Sequence, residues 1–346
     1  MIISRTPFRI SLFGGGTDYP AWYRRHGGAV IGASINKYCY VSIRSLPPFF
    51  AHRNRIVYSQ IELPQRFDEI QHPAVRAILL DQNVENGVEV QHHGDLPARA
   101  GMGSSSTFTV GLLHSVRAHK GLSSTAEILA QESIRIEQDV IREDVGSQDQ
   151  IWAAYGGVNL IRFETDGAFQ VTPLPISEDR QADLESHMLL FFTGLSRLAP
   201  TIAKKQIANM DNRISQLRTM RQMVDEAATV LENPKRPIRE IGSMLGDAWK
   251  LKKELADTVS NPAVDGIYAA AIECGAAGGK LLGAGGGGFM LIMAEPRTHD
   301  AIRDRLKSLT EVSFKIGSPG STIVIYEPDG LETRSEATPV TMGRGA

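Results

Sequence analysis

Three glycine-rich stretches, far apart along the chain, most constrain what this sequence can fold into. They are Gly14–Gly16, Gly101–Gly103 within LPARAGMGSSST (96–107), and Gly285–Gly288 within KLLGAGGGGFML (280–291). Glycine costs backbone entropy on folding, so such clusters indicate tight turns or a close approach of the backbone to a ligand. One stretch alone fits a hairpin turn or close helix–strand packing, whereas three together favour loops that surround a ligand.

The second stretch predicts a phosphate-binding loop that has no lysine. It lies between a predicted strand, Gly87–His92, and apolar residues at helical spacing, Phe108–Val116. The N–H groups and positive dipole at a helix start attract anions, whereas the usual P-loop also supplies a lysine. A capped helix after a tight turn is the plainer alternative. The predicted phosphate-binding residues are Gly101, Met102, Gly103, Ser104, Ser105, Ser106 and Thr107.

Composition restricts the possible partners. The 346 residues are 42% hydrophobic and 22% charged, and the net charge of −2 provides no basic field to attract nucleic acid or anionic lipid. Two cysteines, Cys39 and Cys274, predict reduced thiols rather than a disulfide framework. No stretch approaches the ~18 apolar residues of a membrane span. We therefore expect a cytoplasmic protein with small-molecule partners, and no nucleic-acid or membrane partner.

Local patterns predict both helices and strands. Arg9–Phe13 and Tyr38–Ile43 are rich in β-forming residues, and Ser124-Thr-Ala-Glu127 reads as a capping box at a helix start. A long helical pattern covers 201–232, and Asn261-Pro262 predicts an N-cap followed by proline at the first helical position.

Charged residues near the loops are candidates for chemistry. Arg9 and Asp18 flank the first glycine turn, and Asp149 lies in GSQDQ (146–150) after a predicted helix that carries Glu137. A single aspartate in a loop is usually just solvated. A functional role for these residues is therefore indicated only by their occurrence together. His52, His92 and His93 lack a metal-ligand pattern with cysteine or carboxylates, which favours packing or solvated roles.

The ordered motifs TPFRISLFGGGTDY (6–19), LPARAGMGSSST and KLLGAGGGGFML resemble those of the GHMP kinases, which include galactokinase, homoserine kinase, mevalonate kinase and phosphomevalonate kinase. The resemblance covers roughly residues 1–328. It implies an α+β fold of two domains, 1–180 and 181–346, with the active site in the cleft between them. It also implies ATP and Mg²⁺, with phosphate held by backbone amides, the helix dipole and serine hydroxyls.

The resemblance also implies roles for individual residues. Asp149 would accept the proton of the substrate hydroxyl, and Arg9 would keep Asp149 ionised and stabilise the transferring phosphoryl group. Ser105 and Glu137 would bind the metal, with Glu143 as a weaker rival to Glu137. The predicted substrate-binding residues are Asp18, Gly15, Gly16, Thr17, Arg197, Gly286 and Gly287.

Within the family, the FGGGTDY and GSQDQ variants look closest to the kinases of D-glycero-D-manno-heptose 7-phosphate, which act on C1 on the way to GDP-heptose and surface polysaccharide. Galactokinases have Glu-His where this chain has Gly15-Gly16, which argues against galactose and leaves space for a phosphorylated sugar. Arg197 is the first candidate for its phosphate, and Lys37 and Arg53 are weaker ones.

Alternative functions stay open at this point. The chain could phosphorylate fucose, another hexose or a mevalonate-type alcohol. It could also be a catalytically silent regulator that binds sugar and ATP, although the competent set of Arg9, Ser105, Glu137 and Asp149 argues against that. A dinucleotide-binding fold would need a strand–GxGxxG–helix unit followed by an acidic residue ~20 positions on, and the sequence lacks such a unit. The pattern leaves monomer and homodimer equally open.

Overall fold

The computed structural model describes residues 1–328 except 86, 99 and 196–198. These residues form strands and helices in an interspersed order. The strands are β1 Ile2–Phe13, β2 Gly28–Ser45, β3 Arg55–Val57, β4 Ile61–Glu62, β5 Val88–Gly94, β6 Val158–Phe163, β7 Phe169–Pro173, β8 Met188–Phe192, β9 Gly278–Leu281, β10 Phe289–Met293, β11 Thr310–Glu311 and β12 Thr322–Tyr326. The helices are α1 Pro20–His26, α2 Pro73–Asp81, α3 Ser104–His119, α4 Ala126–Arg135, α5 Gln148–Tyr155, α6 Glu178–Ser186, α7 Ala199–Asn209, α8 Ile214–Glu232, α9 Arg239–Leu255, α10 Pro262–Glu273 and α11 His299–Arg305.

The larger sheet is organised around β2. Its strand order is β12-β1-β2-β5-β3-β4, and β6 and β7 extend it from the other half of β2. Residues 39–45 of β2 pair with β5, whereas residues 28–33 pair with β6. All pairings are antiparallel except that of β3 with β5. The long β2 strand therefore joins two parts of the sheet and supports β1, which carries Arg9.

The smaller sheet has the order β11-β8-β10-β9 and is antiparallel throughout. Helix α9 packs closely on β9, and glycines at the contact allow this. A Cβ atom on Gly278 would lie 2.0 Å from the carbonyl oxygen of Gly242, so any larger residue would separate the helix from the strand. This contact fixes α9 beside the loop that follows β9.

One large buried cluster extends across both sheets, and a second cluster lies against the smaller sheet. Ile10 and Phe13 of β1 belong to the same buried cluster as Val224 of α8 and Leu245 of α9. Strand β12 also pairs with β1, with Tyr326 opposite Ile2, so a late segment completes the larger sheet. A domain division at residue 180 remains a prediction, and β12 is an exception to it because its hydrogen-bond partner is β1.

Helix boundaries confirm several local predictions and shift others. Asn261 caps α10 as predicted, and its side-chain oxygen accepts hydrogen bonds from the N–H groups of Ala263 and Val264 at 3.1 Å. The N-cap of α4 is Thr125, one residue after the predicted Ser124. The Thr125 hydroxyl accepts a hydrogen bond from the N–H group of Ile128 in the first turn of the helix.

The predicted single helix over 201–232 is interrupted. A short 3₁₀ turn, Met210–Asn212, separates α7 from α8, so the apolar pattern belongs to two helices. A π-helical turn, Ile136–Val140, follows α4 and carries Glu137. π turns often occur at functional sites. In the described chain, no helix combines the length and apolar character needed to cross a bilayer.

Candidate active site

A cleft of about 980 Å³ lies where the predicted loops meet. The first glycine turn, the phosphate loop with the start of α3, the start of α5, helix α9 and the loop after β9 all contribute to its walls. The charged side chains among its described lining residues are Arg9, Asp18, Glu143, Asp144, Asp149 and Lys252. Segments that lie far apart in the sequence thus bring both signs of charge into one cavity.

The centre of the cleft holds a bidentate ion pair between Arg9 and Asp149. The Nε and Nη2 atoms of Arg9 each donate a hydrogen bond to one carboxylate oxygen of Asp149 at 2.7 Å. The remaining Nη1 donates to the carbonyl oxygen of Gly101 at 2.8 Å. Arg9 is 4% exposed, and Asp149 is 25% exposed. This geometry fixes the carboxylate beside the phosphate loop and leaves it accessible from the cleft.

Asp18 is held by hydrogen bonds on a second wall of the cleft. Its oxygens accept from the Gly16 N–H at 2.8 Å and from the Gln148 amide at 2.7 Å. Burial raises the pKa of Asp18, and the nearby Asp149 carboxylate acts in the same direction. A Cβ on Gly146 would lie 2.0 Å from Asp18, so glycine at 146 makes room for the carboxylate. The sequence motif GSQDQ therefore supports Asp18 as well as supplying Asp149.

Most of the predicted phosphate loop faces the cleft. Gly101, Gly103, Ser104, Ser105 and Ser106 line it. Gly103 precedes α3 with φ of 75°, a left-handed conformation that favours glycine. Helix α3 begins at Ser104, so the serines form its first turn rather than a loop before it.

Two members of the predicted phosphate-binding set have other roles in this structure. Met102 is fully buried in the hydrophobic core. Thr107 is fully buried as well, and its hydroxyl donates to the carbonyl oxygen of Pro7 at 3.4 Å. Both side chains anchor the loop from behind.

Glu137 is a buried carboxylate without a cationic partner in the described chain. The Ser106 hydroxyl donates to its Oε2 at 2.8 Å, and the Gln150 amide donates to the same oxygen. The other oxygen, Oε1, and the Thr109 hydroxyl beside it both lack a hydrogen bond in good geometry. Burial raises the pKa of Glu137 from 4.5 to about 7.

The metal pairing predicted from the sequence changes by one residue. Ser105 is exposed, whereas Ser106 contacts Glu137. Successive helix residues point about 100° apart, so only one of the adjacent serines can face the buried carboxylate. Glu143 lies nearby, since its N–H donates to the Glu137 carbonyl oxygen at 2.9 Å.

The residues around Glu137 fit a magnesium ion. Mg²⁺ prefers oxygen ligands and is commonly held by one or two carboxylates together with substrate phosphates. Glu137 provides an unpartnered buried oxygen, and Ser106 provides a hydroxyl beside it. No group of three or more His, Cys, Asp or Glu side chains in the described chain could hold a metal by itself. The site therefore suits a metal that arrives with a nucleotide.

Two buried lysines near the cleft were not predicted. Lys252 of α9 lines the cleft and donates to the carbonyl oxygen of Gly283. Lys280 of β9 donates to the carbonyl oxygen of Leu12 at 3.0 Å and is absent from the cleft lining. The signal for Lys252 was present, because it follows buried Trp249 by three positions on the apolar face of α9.

Aromatic side chains form the far end of the cleft. The His72 ring lies 4.9 Å from both Tyr58 and Phe108, and His92 packs edge-on to Phe108 at 5.2 Å. Burial lowers the pKa of His92, which favours its neutral form. The outer histidine of the predicted trio, His52, stacks on Phe50. The cleft thus has an aromatic end and a charged end.

Several predicted substrate-binding residues lie elsewhere. The Thr17 hydroxyl donates to the carbonyl oxygens of Gly14 and Ala29, so it stabilises the turn. Gly286 and Gly287 pack against neighbouring backbone, and the cleft-lining residues of their loop are Gly283 and Ala284.

The predicted cations for a substrate phosphate have mixed outcomes. Arg197 lies outside the described residues. Lys37 and Arg53 are described, and neither lines the cleft. Gly15, Gly16 and Asp18 do line it, and their contact with a sugar stays a prediction.

Comparison with known families agrees with the motif order. A family model described as GHMP kinases N terminal domain matches residues 70–157, and one described as GHMP kinases C terminal matches residues 227–311. Together the two matches cover half of the chain. The N-terminal match contains the phosphate loop and Asp149, and the C-terminal match contains Lys252 and the third glycine loop.

Curated relatives include kinases of different sugars. D-glycero-alpha-D-manno-heptose 7-phosphate kinase of Campylobacter jejuni subsp. jejuni is 27% identical over 85% of this chain and 90% of that protein. L-fucokinase/L-fucose-1-P guanylyltransferase of Bacteroides fragilis is 27% identical over 90% of this chain, which spans only 36% of that protein.

Solved structures share the fold. The crystal structure of a D-glycero-D-manno-heptose 1-phosphate kinase from Bacteroides thetaiotaomicron has a TM-score of 0.76 and 23% identity, over 93% of this chain and 98% of that one. Galactokinase of Lactococcus lactis has a TM-score of 0.70 and 16% identity, over 93% and 94% of the two chains. At these identities the likeness concerns the fold alone.

Proposed function

The chain belongs to the GHMP kinase family, and on that premise we propose that it transfers the γ-phosphoryl group of ATP to the C1 hydroxyl of D-glycero-D-manno-heptose 7-phosphate. The products would be ADP and the 1,7-bisphosphate, an intermediate for GDP-heptose and surface polysaccharide. The carrying observation is the bidentate Arg9–Asp149 pair beside the phosphate loop. It provides a fixed proton acceptor and a cation at one point of a nucleotide-sized cleft.

The chain's own groups suffice for positioning and proton transfer. Asp149 keeps lone pairs free beside its two bonds to Arg9, so it can accept the C1 hydroxyl proton as that oxygen attacks the γ-phosphorus and ADP departs. Arg9 neutralises charge on the phosphoryl group in transit, which is the main demand of this reaction. Ser104 and Ser105, with the first N–H groups of α3, would hold the phosphates.

The other residues of the cleft would contact the metal, the nucleotide base and the sugar. Glu137 and the Ser106 hydroxyl would hold Mg²⁺, which would supply positive charge to offset the negative charge of the phosphates. The aromatic wall of Tyr58, His72 and Phe108 offers apolar ring faces to the nucleotide base. Asp18 would accept hydrogen bonds from sugar hydroxyls.

The choice of sugar is supported by sequence similarity and by the space at the first glycine turn. The heptose phosphate kinase of C. jejuni aligns over most of both chains. Gly15 lines the cleft without a side chain, and a Cβ there would lie 3.5 Å from the Ser11 hydroxyl and 3.6 Å from the Gln148 amide nitrogen, both cleft-lining residues. The absence of a side chain at this position leaves room for a substrate larger than a hexose. Fucose is the second candidate, because fucokinases of similar identity align over 90% of this chain.

The test measures ADP release with Mg²⁺, ATP and a panel of acceptors. The panel contains manno-heptose 7-phosphate, sedoheptulose 7-phosphate, mannose, galactose, fucose and mevalonate. The inactive variant is Asp149→Asn, which should lower kcat by about a hundredfold to ten thousandfold. The matched control is Asp144→Asn, which removes an exposed carboxylate from the same cleft and should keep kcat within about twofold.

The outcomes separate the alternatives. Turnover confined to manno-heptose 7-phosphate, and lost in Asp149→Asn, supports the proposal. Turnover on fucose or another unphosphorylated sugar keeps the kinase and removes the sugar-phosphate assignment. Binding of ATP without turnover on any acceptor favours the regulator instead.

A further inference from the structure

Lys252 is a buried cation that the mechanism above leaves unused. It is 5% exposed and lies on the apolar face of α9, yet its side chain reaches the cleft. Lysine is seldom fully buried unless paired. Within the described residues, its one hydrogen bond goes to the carbonyl oxygen of Gly283. An ammonium group has three donors, so two remain for a ligand.

The position of Lys252 links the third glycine loop to the phosphate loop. Gly283 packs against Gly101 so closely that a Cβ on Gly283 would lie 2.5 Å from the Gly101 Cα. Arg9 donates to the carbonyl oxygen of Gly101, and Lys252 donates to that of Gly283. Each cation is thus anchored on one of two touching glycines. Arg9 reaches the cleft from β1 and Lys252 from α9.

The charges around Lys252 belong to the proposed reaction centre. Arg9 of β1, Asp18 after β1 and Asp149 of α5 all interact electrostatically with its ammonium group. Lys280 of β9 also interacts with it. Burial lowers the pKa of Lys280 well below its usual value, so Lys280 adds no dependable charge. Arg9 and Lys252 are therefore the two cationic side chains that the described residues bring to the cleft lining.

We propose that Lys252 directly contacts the γ-phosphoryl group of ATP and supplies the cationic charge that the lysine-free phosphate loop lacks. This inference rests on the proposed kinase function but not on the identity of the sugar. A P-loop lysine extends from the loop itself, whereas Lys252 comes from α9 about 150 residues later. The γ-phosphoryl group would then lie between Arg9 of β1 and Lys252 of α9.

The charge state of Lys252 provides a second test of the proposal, through the pH dependence of activity. Burial lowers the pKa of Lys252 from 10.5 to about 8, and repulsion by Arg9 adds to this, whereas Asp18 and Asp149 oppose it. The pH dependence of kcat/KM reports ionisations of the free enzyme. A requirement for charged Lys252 therefore predicts a fall in kcat/KM above about pH 8.

The decisive experiment compares the binding of Mg²⁺–AMPPNP and Mg²⁺–ADP by calorimetry. Lys252→Gln keeps an N–H donor for Gly283 and removes the charge. It should weaken AMPPNP binding at least about tenfold, as expected for a lost charge-assisted hydrogen bond, and leave ADP binding within about twofold. Lys250→Met, which removes an exposed lysine of the same helix, should alter neither.

A second variant keeps the inference testable if Lys252→Gln folds poorly. Lys252→Arg retains charge and should keep the preference for AMPPNP. It should also move the fall in kcat/KM from about pH 8 to above about pH 10, because the arginine pKa exceeds 12.

Three results would overturn the inference. Equal weakening of ADP and AMPPNP would indicate a structural tether for Gly283. A raised KM for the sugar phosphate alone would assign Lys252 to the substrate's own phosphate. Unchanged binding in Lys252→Gln would remove it from the site. Because nucleotide binding needs no acceptor sugar, failure of the heptose assignment leaves this measurement valid.

Discussion

Two buried glutamates in different regions of this protein have opposite electrostatic environments. Glu89 and Glu137 are 2% and 1% exposed. In the larger sheet, Glu89 of β5 lies between Arg44 of β2 and Arg55 of β3, and both arginines donate to its carboxylate. Behind the cleft-lining Ser106, Glu137 is contacted by the Ser106 hydroxyl and the Gln150 amide.

The pKa values of the two glutamates shift in opposite directions. Burial alone would raise both, but hydrogen bonds from Arg44 and Gln91 and the charges of Arg44 and Arg55 outweigh it at Glu89 and lower its pKa. At Glu137 no cation opposes burial, and the pKa rises to about 7. A buried carboxylate that already has arginine partners stabilises the fold. A buried carboxylate that is hydrogen-bonded only by neutral groups can still bind an exchangeable cation. The difference supports Glu137 as the proposed metal ligand.

The largest expected difference between the two glutamates is in activity. Glu137→Gln should lower kcat about a hundredfold or more, because loss of metal charge stabilisation costs several kcal/mol in the transition state. Glu89→Gln should leave kcat within about twofold, since the hydrogen-bond partners of Glu89 are Arg44, Arg55 and Gln91, none of which lines the cleft. Steady-state ADP release at saturating Mg²⁺–ATP measures both. A comparable loss of kcat in the two variants would contradict the assignment of different roles to Glu137 and Glu89.

The next difference is in how stability depends on pH. The folded pKa of Glu137 is raised above its unfolded value of 4.5, so the protonated native form is favoured. This contribution is fully present below about pH 4.5 and is lost as pH rises through about 7. Without metal, Glu137→Gln should match wild type near pH 5 and exceed it by up to about 3 kcal/mol at pH 8, at 1.36 kcal/mol per pKa unit.

Urea unfolding of both proteins at a series of pH values in EDTA measures this difference. Asp18, whose pKa is also raised, contributes equally to both proteins and cancels. A stability difference that stays constant from pH 5 to 8 would show that Glu137 does not titrate in this range.

The contribution of Glu89 to the free energy of unfolding should change with pH in the opposite direction and by a smaller amount. Its pKa is lowered, so its contribution is present above its unfolded pKa of 4.5 and is lost in acid. Glu89→Gln should cost about 2 kcal/mol at pH 7 and less at pH 4. This is below the 3–5 kcal/mol typical of breaking a buried pair, because Arg44 and Arg55 are 45% and 40% exposed and can be hydrated. Unfolding at the two pH values tests it, and a stabilised variant at pH 7 would contradict the role of the arginines.

The smallest expected effect concerns a single hydroxyl. Ser106→Ala removes one donor to Glu137 and should raise the pKa of Glu137 further, by less than about 1 unit, since a neutral hydrogen bond contributes about 1 kcal/mol. The exposed neighbour provides the control, Ser105→Ala. Carboxyl titration by ¹³C NMR in each variant measures the shift. A larger shift in Ser105→Ala would restore the pairing predicted from the sequence.

The sequence predicted local structure best at positions where the backbone conformation depends on a few neighbouring residues. The glycines and serines of 101–106 predicted a turn into a helix, and the structure has that turn with Gly103 in a left-handed conformation. The Asn261 cap was likewise predicted, because capping depends on residues within one turn. The resemblance of three ordered motifs to the GHMP kinases predicted the fold, and both family matches confirm it.

Side-chain contacts were harder to predict where one residue of displacement or a distant partner decides them. The sequence paired Ser105 with Glu137, whereas a π turn and the phase of α3 place Ser106 against it, and metal binding by Ser105 stays a prediction. Substrate binding by Gly286 and Gly287 also stays a prediction; the Gly286 N–H donates to the carbonyl oxygen of Val259, and Gly287 packs against Leu195.

The sequence by itself determined the three loops, the helix start at the phosphate loop and the set of charged candidates, because these depend on residues close together along the chain. Only the tertiary structure decided how the charges combine. Arg9 and Asp149 are separated by 140 positions and form a bidentate pair, and Lys252 reaches the cleft from the apolar face of α9. Charge state in a buried site depends on desolvation and on neighbours brought by folding, and no local pattern encodes either.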